Sequence, residues 1–183
     1  AILLATCAAF GQEAATQPAA SGDDDAGNAA EAMKATVKSV TGAAQKLVIA
    51  DGRETWKPVR AGDVLPADTV IRTGFRSQVV LDFAGKGEVV VKNAAKVGIG
   101  EFRERAGATR ARLGLKYGGV RASVDSSKGP ADWRVRTPVA TLSVRGTSGH
   151  LHYSGDVGMG LRGTSGSWHV NFGHRSRNVW RNE

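Results

Sequence analysis

Cysteine is nearly absent from this chain: Cys7 is its single copy in 183 residues. One thiol permits no intramolecular disulfide and no cysteine-rich metal site. No apolar run approaches the ~18 residues that a membrane-spanning helix requires. Aromatic residues make up only 6% of the chain, so a core must come mainly from Val, Leu, Ile and Ala. Basic residues are missing from positions 1–33, which hold five acids: Glu13, Asp23, Asp24, Asp25 and Glu31. All 25 Lys and Arg therefore fall in residues 34–183, against 12 acids. Such a surplus attracts polyanions, although charged side chains also serve simply as the solvated faces of strands.

Catalytic patterns are missing as well. The run Gly163-Thr164-Ser165-Gly166-Ser167 lacks the spacing of a nucleophile elbow, and Ser148 and Ser165 read as turn formers. No paired carboxylates stand out. Gly85-Lys86-Gly87 is too short for a phosphate-binding loop. The expectation is a chain without an active site and without a cofactor.

Turn residues, in contrast, are plentiful. The 24 glycines punctuate short segments of alternating polarity. Strands are predicted at 35–40, 45–50, 69–73, 78–83, 88–91, 95–99, 110–117, 120–124, 133–136, 140–144, 150–153 and 167–172. Asp51-Gly52, Gly85-Lys86-Gly87, Gly118-Gly119 and Ser154-Gly155-Asp156 are the turn signals between them. With no helical crossover pattern, this predicts an all-β domain. A short helical turn at 29–38 is a minor alternative.

Three segments follow from composition. Residues 1–11 resemble the end of a secretory signal. Leu4-Ala5-Thr6-Cys7 resembles a lipobox, which would make Cys7 a lipidation site; Ala9 and Gly11 equally suit cleavage after Gly11. Residues 12–33 are Ala- and Asp-rich, with too few apolar side chains to offset ordering entropy, and read as a tether. Residues 34–183 are the β domain.

Within that domain, residues 133–147 read W-R-V-R-T-P-V-A-T-L-S-V-R-G-T. Trp133 and Val135 share one face, Arg134 and Arg136 the other. After Thr137, Pro138 and Val139 the apolar positions become Ala140, Leu142 and Val144, opposite Thr141 and Ser143. A break at Pro138 would account for this switch of parity, since proline cannot donate to a ladder. The segment Thr137, Pro138, Val139, Ala140, Thr141, Leu142, Ser143, Val144, Arg145, Gly146, Thr147 resembles the signature of the FecR domain family. A second match runs from Trp56 through Gly62-Asp63 to Thr73-Gly74 and the strand at 78–83. The resemblance covers residues 35–172. It implies an elongated, β-solenoid-like roll, with a two-sheet β-sandwich as the alternative, and an exported module of the periplasm, cell envelope or extracellular side. No spanning helix and no sigma-factor-binding domain, as in the family's transmembrane regulators, is read before the β region of the sequence given, so direct transcriptional control is not the expectation.

A pentapeptide repeats: Arg145-Gly-Thr-Ser-Gly149 recurs as Arg162-Gly-Thr-Ser-Gly166. Stacked rungs and successive hairpins would both produce it. If the copies stack, His169 lies beside His152 and His150. Three imidazoles on one face could bind zinc or copper; the alternative is a plain polar face. Arg110, Arg112, Lys116, Arg121, Arg134 and Arg136 are expected on outer faces as a basic surface, whose alternative role is edge protection. Trp133 and Trp168 are expected in the core and Trp180 partly exposed; a Trp-plus-Arg surface would also suit a glycan.

The function expected is a non-enzymatic envelope module that interacts with a protein partner or senses a signal. The rivals are a polyanion- or glycan-binding envelope protein and a structural subunit that assembles through β edges. Nucleic acid is not an expected partner. Membrane contact is expected only through a lipid on Cys7.

Overall fold

The computed structural model describes residues 31–180. Cys7 and most of the expected signal and tether lie outside the described residues. Apart from one 3-10 turn at Ser126–Lys128, every regular element is a strand. In chain order these are β1 (Glu31–Ala32), β2 (Ala35–Thr41), β3 (Ala44–Ala50), β4 (Arg53–Pro58), β5 (Val64–Leu65), β6 (Thr69–Thr73), β7 (Gln78–Asp82), β8 (Gly87–Val91), β9 (Lys96–Arg105), β10 (Ala108–Val124), β11 (Ala131–Arg136), β12 (Thr141–Ser154), β13 (Gly158–Asn171) and β14 (Ser176–Trp180). No described helix is long and apolar enough to cross a membrane. The helical turn considered at 29–38 gives way to β1 and β2. β1 pairs with Glu104 and Arg103 of β9, so ordered pairing begins inside the stretch read as tether.

All the strands join one 14-stranded network. It divides into two leaves that share β10, β12 and β13. The first leaf runs β4-β3-β6-β9, then the first half of β10, β11, the start of β12, the end of β13, and β14. The second runs β5-β2-β7-β8, then the second half of β10, the end of β12 and the start of β13. β10 passes between leaves at Gly118, whose φ is +91°. A Cβ there would fall 2.4 Å from Cα of Ala95, so both backbone and space demand glycine. β12 crosses at Gly146, φ +53°, where its register with β13 shifts between Arg145 and Ser148. Strands that change sheets through bends are how such corners are made.

The leaves pack their apolar faces together. Val79, Leu81, Val89, Val91, Val120 and Leu151 from one side are buried with Ile71, Ile99, Leu113, Val135, Leu142 and Val144 from the other. Two indoles fill the interface and meet glycines across it. A Cβ on Gly87 of β8 would approach Trp133 of β11 to 2.9 Å, and one on Gly149 of β12 would approach Trp168 of β13 to 2.8 Å. Phe83 completes the cluster edge-on, 5.0 Å from both Phe102 and Trp133. Such aromatic pairs add about 0.5–1.5 kcal/mol each beyond their burial.

The repeat does not stack as parallel rungs. β12 and β13 form an antiparallel hairpin in which Ser148 faces Ser165, Gly149 faces Gly163 and His150 faces Arg162. The two copies fold back on each other.

Candidate interaction surface

The signature segment builds a turn and a corner. Thr137 is buried; its hydroxyl accepts the Ala140 N–H at 3.0 Å and donates to the Ala140 carbonyl at 3.1 Å. Its own N–H donates to the same carbonyl at 2.8 Å. Pro138 and Val139 form the exposed tip. The four-residue loop joins β11 to β12 with Trp133 opposite Val144 and Val135 opposite Leu142. Odd positions face even ones, which is the physical reason for the parity switch. Leu142 and Val144 are buried, Thr141 and Ser143 half-exposed. Gly146 then bends the strand and Thr147 is buried against Gly166, where a Cβ would come within 2.2 Å of its Cγ2. The upstream match is structural as well. Asp63 accepts from Lys46 Nζ at 2.8 Å and the Arg60 N–H at 3.2 Å, bonds that hold its carboxyl below the usual range. The buried Thr73 hydroxyl donates to the Lys92 carbonyl at 2.6 Å and accepts the Ala95 N–H at 3.0 Å.

Of the six expected basic-surface residues, four come together on the outer face of the first leaf. β10 and β11 pair in parallel, placing Arg110 opposite Asp132, Arg112 opposite Arg134, and Gly114 opposite Arg136. Asp132 gathers three of the arginines: Arg112 at 2.5 Å, Arg134 at 3.1 Å and Arg110 at 3.8 Å. Partial burial pushes the Asp132 pKa up, but the Arg112 hydrogen bond and the charges of Arg112 and Arg134 outweigh it and hold the carboxyl below its ordinary value. Neighbouring Arg103 pairs with Glu101. Three of the ladder's four arginines are therefore tied to a carboxylate, although one Asp132 offsets only part of their charge. Arg136 makes no ion pair among the described residues and borders a shallow cleft of about 610 Å³ with Arg134, Val139 and His169. Lys116 is exposed at the irregularity between Leu115 and Tyr117, and Arg121 lies on the second leaf.

The three histidines are not assembled. His150 and His152 do share the outer face of the second leaf, with Leu151 buried between them. His169 faces Ser143 on the first leaf and hydrogen-bonds Asn178 at 2.8 Å. The antiparallel hairpin causes this separation, because it reverses the direction that stacking would have preserved. Among the described residues no three His, Cys, Asp or Glu side chains form a metal-binding group.

Ser148 and Ser165 are strand residues rather than turn formers. They bond each other's hydroxyls at 2.9 Å, and Ser148 also contacts the Thr164 hydroxyl at 2.9 Å. Trp133 and Trp168 are core, while Trp180 is 58% exposed. Arg72 sits over Trp56 at 4.1 Å and Lys96 at 5.3 Å, so cations of the chain itself already lie over this ring.

Two features went unread in the sequence. The first is a cleft of about 480 Å³ on the second leaf, bordered by Lys92, His150, His152 and Arg162 and floored in part by Gly119 and Gly160. The second is an open edge. β14 covers β13 only from Ser167 to Asn171, so residues 158–164 have no neighbour on that side among the described residues. Met159 and Leu161 on this edge pack against the core but remain partly exposed, and Val157 beside it is 86% exposed.

Residues 69–159 match the FecR protein family. No curated protein matches the chain in sequence. Two crystal structures of a candidate anti-sigma factor from Parabacteroides distasonis share its fold, each with 18% identity and a TM-score of 0.52. In each, the alignment covers 62% of this chain and 52% of the other, so this chain spans about half of that protein.

Proposed function

Because the chain carries a FecR domain, we propose that it works as a non-enzymatic sensing or signalling module of the cell envelope, and that it docks a protein partner by strand addition to β13. The observation that carries this reading is the open edge at residues 158–164. Unpaired strand groups template an added strand, and most natural edges are blunted by charge, proline or a covering loop. This one has a single charged side chain, Arg162, three glycines at 158, 160 and 163, and the half-covered Met159 and Leu161. A partner strand would complete the ladder and cover both apolar side chains. The family match and the likeness to a candidate anti-sigma factor support a signalling role. The signal-like N-terminus and Cys7 support export and a lipid anchor.

Photo-crosslinking in the source cells tests the reading. A photoreactive residue at Val157 or Gly160 is expected to yield a discrete crosslinked protein, while one at Thr55 on the β4 edge is not. Crosslinking from neither position, or equally from Thr55, refutes docking at β13. A product that is a second copy of this chain, with mass rising with concentration, indicates self-assembly through the edge instead. Cys7→Ala is expected to move the protein from membrane to soluble fraction, and an unchanged distribution refutes the anchor.

A further inference from the structure

One patch on the outer face of the second leaf carries positive charge with no acid paired to it. Along one row across the sheet, Arg121 of β10 faces His150 of β12, and His150 faces Arg162 of β13. Lys92 follows β8 and its backbone N–H bonds Gly119 of β10 at 2.8 Å, which brings it to the same opening. None of Lys92, Arg121 and Arg162 makes an ion pair among the described residues. The nearest acid by register, Glu88, is two residues along β8 from Val90, which faces Arg121. Glu88 and Asp82 are held by Lys38 at 3.3 and 3.2 Å. Asp156 lies at the tip of the β12–β13 hairpin, beyond the pair His152 and Gly160. The contrast with the first leaf is sharp: there Asp132 serves three arginines, and here three cations share no carboxylate.

We propose that this cleft is a binding site for a phosphate group, held by Lys92 and Arg162 with His150 and Arg121 beside them. Arg121 and Arg162 flank His150 from the two neighbouring strands, and cations gathered without a counter-charge repel one another, a cost that a bound anion would reverse. Lys92 and Arg162 at the opening, with Arg121 next to it across His150, suit a multiply charged oxyanion better than a single carboxylate. Arg162 offers a planar fork and Lys92 a point charge, and a phosphate ester offers three acceptor oxygens. The cleft has room for it. His152 lies between Gly119 and Gly160 in register; the Lys92 stem lies over Gly119, where a Cβ would come within 3.5 Å of its Cβ, and the Gly160 flank is open. A Cβ on Gly160 would meet nothing within 4 Å. The imidazole of His150 is consistent with the role: burial first, then the charges of Arg121, Lys92 and Arg162, lower its pKa, and no carboxylate faces it from β8, β10 or β13. An anion seated there would restore its protonation. This site stands whether or not the β13 edge receives a partner.

The test uses the purified chain with inorganic phosphate and pyrophosphate as soluble probes, followed by calorimetry at fixed ionic strength. Vesicles of phosphatidylcholine with and without phosphatidylglycerol form a second arm, followed by co-sedimentation. Wild-type binding is expected to weaken tenfold or more in Lys92→Gln/Arg162→Gln. Gly160→Val is expected to weaken it similarly while leaving the melting temperature intact, because the added side chain fills the trough and not the core. Arg136→Gln on the other leaf is expected to bind as wild type. Binding of the soluble probes assigns the site to a free phosphate, and binding of anionic vesicles alone assigns it to a lipid headgroup; either supports the site. Absence of binding in both arms, binding that survives Lys92→Gln/Arg162→Gln, or an equal loss with Arg136→Gln overturns it.

Discussion

Substituting Gly149 by alanine tests the facing of the two leaves with a single methyl group. The backbone at Gly149 is not in the left-handed region, so alanine costs nothing in conformation there. The obstacle is Trp168: an ideal Cβ would lie 2.8 Å from Cε2, Cζ2 and Nε1 of the indole. Comfortable carbon contacts need about 3.5–4.0 Å, so the ring or the strand must move by roughly 0.7–1.2 Å. Trp168 has no room to give. It is fully buried and stands opposite Val144 on one side and Val179 on the other. Overpacking of this kind costs about 1–3 kcal/mol, which for a domain of this size lowers the melting temperature by about 2–12 °C.

The matched control is Gly160→Ala, on the partner strand of the same hairpin, where a Cβ meets nothing within 4 Å. Replacing a strand glycine in open space is expected to be neutral or to stabilise by about 0.5–1 kcal/mol. Urea and thermal unfolding of the two variants therefore move in opposite directions or by clearly unequal amounts. The double variant Gly149→Ala/Trp168→Phe is expected to be less destabilised than the sum of its parts, since the smaller ring returns the space. Equal loss in Gly149→Ala and Gly160→Ala, or strict additivity in the double variant, refutes the packing of Trp168 against β12.

Leu142→Asp is expected to prevent folding, because it buries an unpaired carboxylate at a fully buried position, whereas Thr141→Asp faces Arg136 and should change stability by less than about 1 kcal/mol; circular dichroism of both variants checks this. Asp132→Asn is expected to lower the urea midpoint at neutral pH, with the difference shrinking in acid. The sign follows from a depressed carboxylate: its contribution is complete above the unfolded pKa of about 3.9 and is lost as the pH falls through the lower folded value. Ala106 holds φ +49° before Gly107 at +74° in the turn between β9 and β10. Ala106→Asn suits that pair of left-handed residues and should raise stability by up to about 1 kcal/mol, read from the urea midpoint.

Much of the strand pattern was legible because alternation reports burial. The span 69–73 is predicted and observed with the same bounds, and Leu142 and Val144 fall on the expected face. The failures have two physical causes. Edge strands bury one side poorly, so R-E-T-W-K-P of β4 and S-R-N-V-W of β14 lack the alternation that would reveal them. Bends and reversals also draw on the same residues. Gly118-Gly119 reads as a turn between two strands, yet β10 runs through it for 17 residues, because Gly118 redirects the strand without reversing it. The Arg-Gly-Thr-Ser-Gly copies mislead in the same way: Gly146 bends β12, and Gly149 is small to admit an indole.

The surface chemistry was less legible because it depends on which strands become neighbours. The alternating Arg134 and Arg136 announce an outward basic face, and that face exists. The sharing of Asp132 among Arg110, Arg112 and Arg134 rests on the parallel pairing of β10 with β11, which no local pattern encodes. The second leaf is the more instructive case. Ser154-Gly155-Asp156 is a turn signal, and an antiparallel hairpin centred on Asp156 pairs residues whose numbers sum to the same value. That register sets His150 opposite Arg162 from the sequence alone, and the repeat would then have been read as folding back. It would also have separated His169 from His152. What the hairpin does not provide is Arg121 on the other side of His150, since that contact joins the end of β10 to β12 across the leaf. The row Arg121, His150, Arg162 thus combines one local pairing with one long-range pairing. Each arginine alone reads as a solvated strand face, and the accumulation of charge without an acid becomes visible only when both pairings are in place.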